Sequence, residues 1–175
     1  MRAGKKSRVI GSAIWSLAIV GALAAPAAAG SGNFVVSGLD CVSKNPDQPD
    51  LAYYSNGAVV NEDTDSRTVL CPLPMGNGTW NTGDTLGVTI SGDEGSSGAN
   101  ITCTLRVSGD YGNSLQATVS DDLVPVGSGF QLGISVTETL NYTSQHASAH
   151  VSCVLPPDSG SNKSRIYQIR GQFNL

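Results

Sequence analysis

The chain has little charge and few basic residues. Charged side chains make up 14% of its 175 residues, little more than half the usual share, and 14 Asp and Glu outnumber 10 Lys and Arg. So low a charge argues against a coiled coil. The net charge of −4 and the pI near 4.9 lack the basic footprint that binding to a phosphate backbone requires, so we expect no nucleic-acid partner. A hydrophobic content of 39% is too high for a fully disordered chain.

A long apolar segment occurs once in the sequence, close to the N-terminus. Four basic residues precede a largely apolar stretch over residues 9–25, and Ala27-Ala28-Ala29 has the small side chains of a signal-peptidase site. We therefore expect a secretory signal peptide over residues 1–29 and a single domain over residues 30–175. An uncleaved anchor is the alternative, because about 17 apolar residues is the short limit for crossing a bilayer. Cleavage leaves 6 Lys and Arg against 14 Asp and Glu, a net charge of −8 in a secreted (extracellular or periplasmic) domain without membrane association.

No C-x-x-C pair occurs, and the histidines do not have the spacing to cysteine of a zinc knuckle, so a zinc site is not indicated. Four cysteines are an even number, and export to an oxidising compartment favours disulfides. Of the three possible pairings we favour Cys41–Cys71 and Cys103–Cys153, because Cys103 and Cys153 both fall on the apolar phase of alternating segments. Loops of 30 and 50 residues would each restrict the unfolded chain by roughly 3.5–4 kcal/mol.

Helical periodicity is absent after the N-terminal segment, and alternation of apolar and polar residues takes its place. The clearest alternating segments are residues 86–90, 101–107, 130–136 and 147–155. Such alternation indicates half-buried strands, and Gly, Asn and Asp turns separate them. About nine or ten short strands predict an all-β fold, an antiparallel β-sandwich cross-linked by disulfides. The Cys–Trp–Cys spacing of an immunoglobulin domain is missing, so we favour a jelly-roll-like sandwich.

Signatures of catalysis and metal binding are missing or incomplete. No G-x-S-x-G nucleophile elbow occurs. His146 and His150 lie about 13 Å apart if they belong to one strand, too far to hold one ion readily. Residues 61–65 (NEDTD) begin like a calcium loop, but Ser66 and Pro72 stand where an EF-hand has Gly and Glu. We expect no enzymatic activity, no catalytic residue, no metal and no cofactor.

One aromatic residue indicates a binding surface. Trp80 is the only tryptophan after the predicted signal peptide, and it lies in a turn-rich stretch over residues 77–83. An exposed indole flanked by the amides of Asn77 and Asn81 would suit a sugar ring. Alternatively, Trp80 folds back and caps the edge of the sandwich. The functional hypotheses are a secreted non-enzymatic protein of undefined role, a carbohydrate- or surface-binding module using Trp80, and a structural component of a cell envelope or surface layer.

Several segments together resemble a group of uncharacterised secreted bacterial proteins with four cysteines. The resemblance runs through Cys41, Tyr53, Gly57, Asn61, residues 67–73 (RTVLCPL), 101–105 (ITCTL), 110–112 (DYG) and 153–157 (CVLPP), and Ile166-Tyr167. It covers most of the chain after the predicted signal peptide. The resemblance implies a disulfide-linked β-sandwich in an exported protein, and it brings no established activity or ligand.

Overall fold

The computed structural model describes residues 32–45, 51–75, 79–95, 100–109, 114–120, 129–138, 145–157 and 162–174. The predicted signal peptide and Asn77 lie outside these residues. Within the described ranges, no helix is long and apolar enough to cross a membrane.

Strands make up nearly all of the regular structure in these ranges, together with one 3-10 helix, Gly38–Asp40. The strands are β1 Gly32–Ser37, β2 Val42–Ser43, β3 Leu51–Tyr53, β4 Val59–Asn61, β5 Arg67–Leu73, β6 Thr79–Trp80, β7 Thr85–Asp93, β8 Thr102–Gly109, β9 Ser114–Ser120, β10 Gly129–Thr137, β11 Gln145–Leu155 and β12 Arg165–Asn174.

The strands form two antiparallel sheets. In the first sheet, β10, β7 and β12 are neighbours in that order. On its other side, β12 pairs along most of its length with β1 and at its start with β4, and β4 pairs with β3. The second contains β5, β11, β8 and β9, with β2 beside β5 and β6 beside β11. Among the eight longest strands, the first pairs with the last, the second with the seventh, the third with the sixth and the fourth with the fifth. This nested pairing is a jelly roll, so the predicted fold is confirmed.

Alternation along each strand decides which side chains enter the core. In β7 and β10, every second residue is buried, including Leu86, Ile90 and Phe130. The second sheet contributes side chains such as Leu105 and Val151 to the same core. Fully burying such a side chain stabilises the fold by about 1.5–3 kcal/mol. The residues between them face outward, so the two outer faces of the sandwich carry the polar surface.

Two disulfides lie within this core. Cys41 is bonded to Cys71, and Cys103 is bonded to Cys153, the pairing favoured from the sequence. All four cysteines are fully buried. Cys103 and Cys153 are directly opposite each other on β8 and β11, so their bond joins neighbouring strands of the second sheet.

Candidate functional site

Trp80 lies in the core at one end of the sandwich. Only 4% of the residue is exposed, and its indole Nε1 donates a hydrogen bond to the buried carboxylate of Glu138 at 2.5 Å. Two backbone hydrogen bonds also hold Glu138 in place. Its carbonyl accepts from the N–H of Gly83, and its N–H donates to the carbonyl of Asp84. A sugar-stacking platform needs an open ring face, which this indole does not offer. The geometry favours the edge-capping interpretation of Trp80.

The backbone and side-chain amides of Asn81 also stabilise the turn in which this residue lies. Its backbone N–H and its side-chain Nδ2 both donate to the carboxylate of Asp84, at 2.5 and 3.3 Å. Of the three residues that the sequence suggested for sugar binding, the structure describes Trp80 and Asn81, and both hold the chain itself together.

The acidic segment after β4 is likewise engaged in internal contacts. The side chain of Asn61 accepts from the backbone N–H of Asp63 at 3.0 Å and donates to the carbonyl of Asp65 at 2.8 Å. The carboxylate of Asp63 forms an ion pair with Arg67. Over the described ranges, no group of three or more His, Cys, Asp or Glu side chains is placed to hold a metal ion.

A concave surface lies instead on the outer face of the first sheet. It has a volume of about 560 Å³ and crosses β1, β12, β7 and β10. Neighbouring strands are about 4.8 Å apart, so these four span about 14 Å. Two rows of outward-facing residues line it: Asn33, Gln172, Gly87 and Ser135 in one row, and Val35, Arg170, Thr89 and Gly133 in the next. We call this surface the first-sheet groove.

Two glycines in the middle of strands form the floor of the first-sheet groove. A Cβ atom added at Gly133 would have no atom within 4 Å, and one added at Gly87 would touch only the Cβ of Ser135 at 3.9 Å. Neither glycine has a left-handed backbone conformation. Glycine inside a strand destabilises it by roughly 0.5–1 kcal/mol relative to alanine. Neither packing nor backbone geometry therefore requires glycine at these two positions.

Other glycines of the same sheet are required by packing. A Cβ atom at Gly171 would overlap the ring of Phe34, and one at Gly92 would overlap the carbonyl oxygen of Arg165. These residues point inward or toward a neighbouring chain segment, and the fold explains them. Gly87 and Gly133 differ because the space above them is open, and a mid-strand glycine of that kind marks where another molecule can approach the backbone.

The rim of the first-sheet groove is polar and mostly uncharged. It carries two carboxamides, two hydroxyls and one guanidinium, which belong to Asn33, Gln172, Ser135, Thr89 and Arg170. Val35 adds an apolar side chain that is 66% exposed. Carboxamides and hydroxyls both donate and accept hydrogen bonds, so the rim matches a ligand that does the same. Arg170 is the one ionisable side chain among the described residues that line the groove.

The first-sheet groove is not among the surfaces predicted from the sequence, although one signal for it is present. The alternating segments 86–90 and 130–136 each contain a glycine at an outward position, Gly87 and Gly133. An open glycine in an otherwise regular strand is that signal, since it marks close approach to the backbone. The rim residues give no local signal, because they come from four strands, β1, β7, β10 and β12, that are separated in the sequence.

No protein-family model matches the chain, and no curated protein shows significant sequence similarity to it. The resemblance to secreted four-cysteine proteins therefore stays a prediction. Solved structures with a similar fold include the following three. The xylan-binding module CBM15 has a TM-score of 0.48 and 8% identity, over 82% of this chain and 97% of its own. A family 35 carbohydrate-binding module from Clostridium thermocellum has a TM-score of 0.45 and 11% identity, over 80% and 97%. A chain of infectious bursal disease virus (Gt strain) has a TM-score of 0.45 and 10% identity, over 82% and 33%. These likenesses concern the fold alone.

Proposed function

We propose that this protein is a secreted carbohydrate-binding protein that holds an oligosaccharide in the first-sheet groove without converting it. The observation that carries the proposal is the pair of open mid-strand glycines, Gly87 and Gly133. They destabilise their strands slightly and leave the backbone accessible. A ligand lying flat on the sheet would use that space.

The chemistry of the rim supports a sugar as this ligand. Sugar hydroxyls donate and accept hydrogen bonds, as do the carboxamides of Asn33 and Gln172 on the two strands nearest one edge. A sugar ring also has an apolar C–H face, which can lie against the glycine floor and Val35. The groove is open along the sheet, so it suits a chain of sugar units.

The lining residues support binding rather than hydrolysis. Glycoside hydrolysis generally uses two carboxyl groups that flank the reacting bond. Among the described residues of the first-sheet groove there is no carboxylate, histidine or cysteine side chain. Secretion is supported by the two buried disulfides, which persist in oxidising compartments, and by the predicted signal peptide.

A glycan screen with a rim variant tests the proposal. The disulfide-bonded protein is applied to an array of oligosaccharides and to insoluble polysaccharides, and any hit is measured by calorimetry. We expect the double variant Asn33→Ala/Gln172→Ala to bind the hit about fivefold to a hundredfold more weakly, since each lost hydrogen bond contributes about 0.5–1.5 kcal/mol.

Gln131→Ala is the matched control, because Gln131 is an exposed residue of β10 that does not line the groove. It should keep the affinity of the parent protein. A screen without any hit, or a hit whose affinity survives loss of both rim carboxamides, would overturn the proposal.

A further inference from the structure

A second concave surface lies on the outer face of the second sheet, on the side of the sandwich opposite to the first-sheet groove. Its volume is about 350 Å³. It is lined by Lys44, Leu70, Thr104, Arg106, Gln116, Thr118, His150 and Ser152. We call it the second-sheet pocket. His150, Arg106 and Gln116 form one row across β11, β8 and β9, with the hydroxyl residues in the next row.

All charge in the second-sheet pocket is positive. Lys44 and Arg106 are cationic and exposed, and His150 directly faces Arg106 across the strands. No carboxylate is found among the described residues that line the pocket. Acidic residues outnumber basic ones in the chain as a whole, so this surface has a local charge opposite to that of the molecule.

Hydrogen bonds orient the guanidinium group and two of the hydroxyl groups of this pocket. The guanidinium Nη2 of Arg106 donates to Oε1 of Gln116 at 2.8 Å, and the hydroxyls of Thr104 and Thr118 are hydrogen-bonded to each other at 3.0 Å. A guanidinium has five N–H donors, so holding one against Gln116 orients the others. A side chain oriented in this way loses less conformational entropy when it binds a ligand.

The surroundings of His150 disfavour its charged form. Partial burial lowers the pKa of His150, and the nearby charge of Arg106 lowers it further. Of its neighbours, Arg106 on β8 and Lys44 at the pocket edge carry charge, while Pro72 faces it from β5. A bound anion would reverse this balance, because it stabilises the imidazolium.

We infer that the second-sheet pocket binds a single oxyanion between Arg106 and Lys44, with His150 as a third, protonatable contact. The oxyanion is a carboxylate or sulfate group, either on an acidic sugar or as a free ion. Charge-assisted hydrogen bonds from guanidinium and ammonium groups are the usual means of holding such groups.

NMR titration of the histidine imidazole signals tests this inference. Sodium sulfate, galacturonate and oligogalacturonate are added separately at constant ionic strength, with neutral galactose as a blank, and His150→Gln assigns the signal. We expect a saturable shift of the His150 signal, tighter binding as the pH falls below 7, and loss of roughly tenfold or more in affinity in Arg106→Gln.

Lys163→Gln is the control for net charge, because Lys163 is paired with Glu62 at 2.5 Å and does not line the pocket. It should bind as the parent does. Tighter binding of oligogalacturonate than of sulfate places the oxyanion on a sugar, and the reverse order indicates a free ion. Absence of a saturable shift with every anion, or a shift unchanged in Arg106→Gln, would refute the site. The second-sheet pocket and the first-sheet groove lie on opposite faces of the sandwich. Anion binding at the pocket and glycan binding at the groove can therefore be confirmed or refuted independently.

Discussion

Buried polar side chains at single positions join distant parts of the chain. The indole of Trp80 donates to Glu138, 58 residues later. The Nδ2 of Asn61 donates to the backbone carbonyls of Leu155 and Pro156, at 3.2 and 2.8 Å. A buried polar group without such a partner costs about 1–3 kcal/mol, so these contacts belong to the fold rather than to ligand binding.

Trp80→Ala should therefore reduce stability rather than remove a binding site. Loss of a buried tryptophan costs about 3–5 kcal/mol, and Trp80→Phe should cost less because it retains most of the packing. Urea denaturation measures both values. The emission of Trp80, the only tryptophan after residue 29, should be blue-shifted in the folded, signal-cleaved protein. A Trp80→Ala variant with unchanged stability would contradict the placement of the indole in the core.

His150 should make stability depend on pH. Burial first, and the charge of Arg106 second, lower the pKa of His150 in the folded protein. The unfolded chain then binds a proton at a higher pH than the folded chain, so the free energy of unfolding increases with pH up to and slightly above 6.5, the ordinary histidine pKa. His150→Gln should reduce this slope in urea denaturation at a series of pH values. Identical slopes for parent and variant would contradict the expectation.

Within a strand, the alternation of inward and outward positions distinguishes glycines that packing requires from glycines that packing does not require. Gly171 faces inward under the ring of Phe34, which in turn stacks on Phe173 at a centroid distance of 5.8 Å. Gly133 faces outward into open space. The two residues therefore have opposite consequences when a methyl group is added.

Alanine substitution at these two glycines should change stability in opposite directions. Gly171→Ala forces its methyl group into the Phe34 ring, and overpacking of this kind costs about 1–3 kcal/mol. Gly133→Ala should stabilise by roughly 0.5–1 kcal/mol, because it restricts the unfolded chain without meeting any atom. Thermal denaturation of both variants tests this directly. A destabilised Gly133→Ala would mean that the glycine is structural after all.

The sequence predicts strands far better than it predicts surfaces. The alternation in residues 130–136 placed Phe130 and Leu132 in the core, where the structure has them, because burial follows a period of two. The position of Trp80 depends on Glu138, which no local pattern links to it. The first-sheet groove requires β1 to pair with β12, at the opposite end of the chain. Such long-range pairing is set by the whole fold, so only the two glycines could have indicated the groove.

At the scale of the whole molecule, the disulfides act on different parts of the sandwich. Cys41 lies where the chain passes from β1 in the first sheet to β2 in the second, and it is bonded to Cys71 in β5. This bond therefore holds the crossing between the two sheets. The Cys103–Cys153 bond joins strands that are already hydrogen-bonded neighbours.

The double variant Cys41→Ser/Cys71→Ser should lose roughly 3.5 kcal/mol of unfolding free energy, from the 30-residue loop that the bond closes. Urea denaturation measures the loss, and thiol titration of the native parent should detect no free thiol. Free thiol in the native protein, or a variant as stable as the parent, would contradict this assignment.

We expect the first-sheet groove to be kept open for a ligand at a small loss of stability. The most direct test measures unfolding free energy and glycan affinity together in Gly133→Thr, which places a side chain on the groove floor. We expect a variant as stable as the parent, or more stable by up to about 1 kcal/mol, that binds the glycan at least tenfold more weakly. A stable Gly133→Thr variant with undiminished affinity would contradict this expectation.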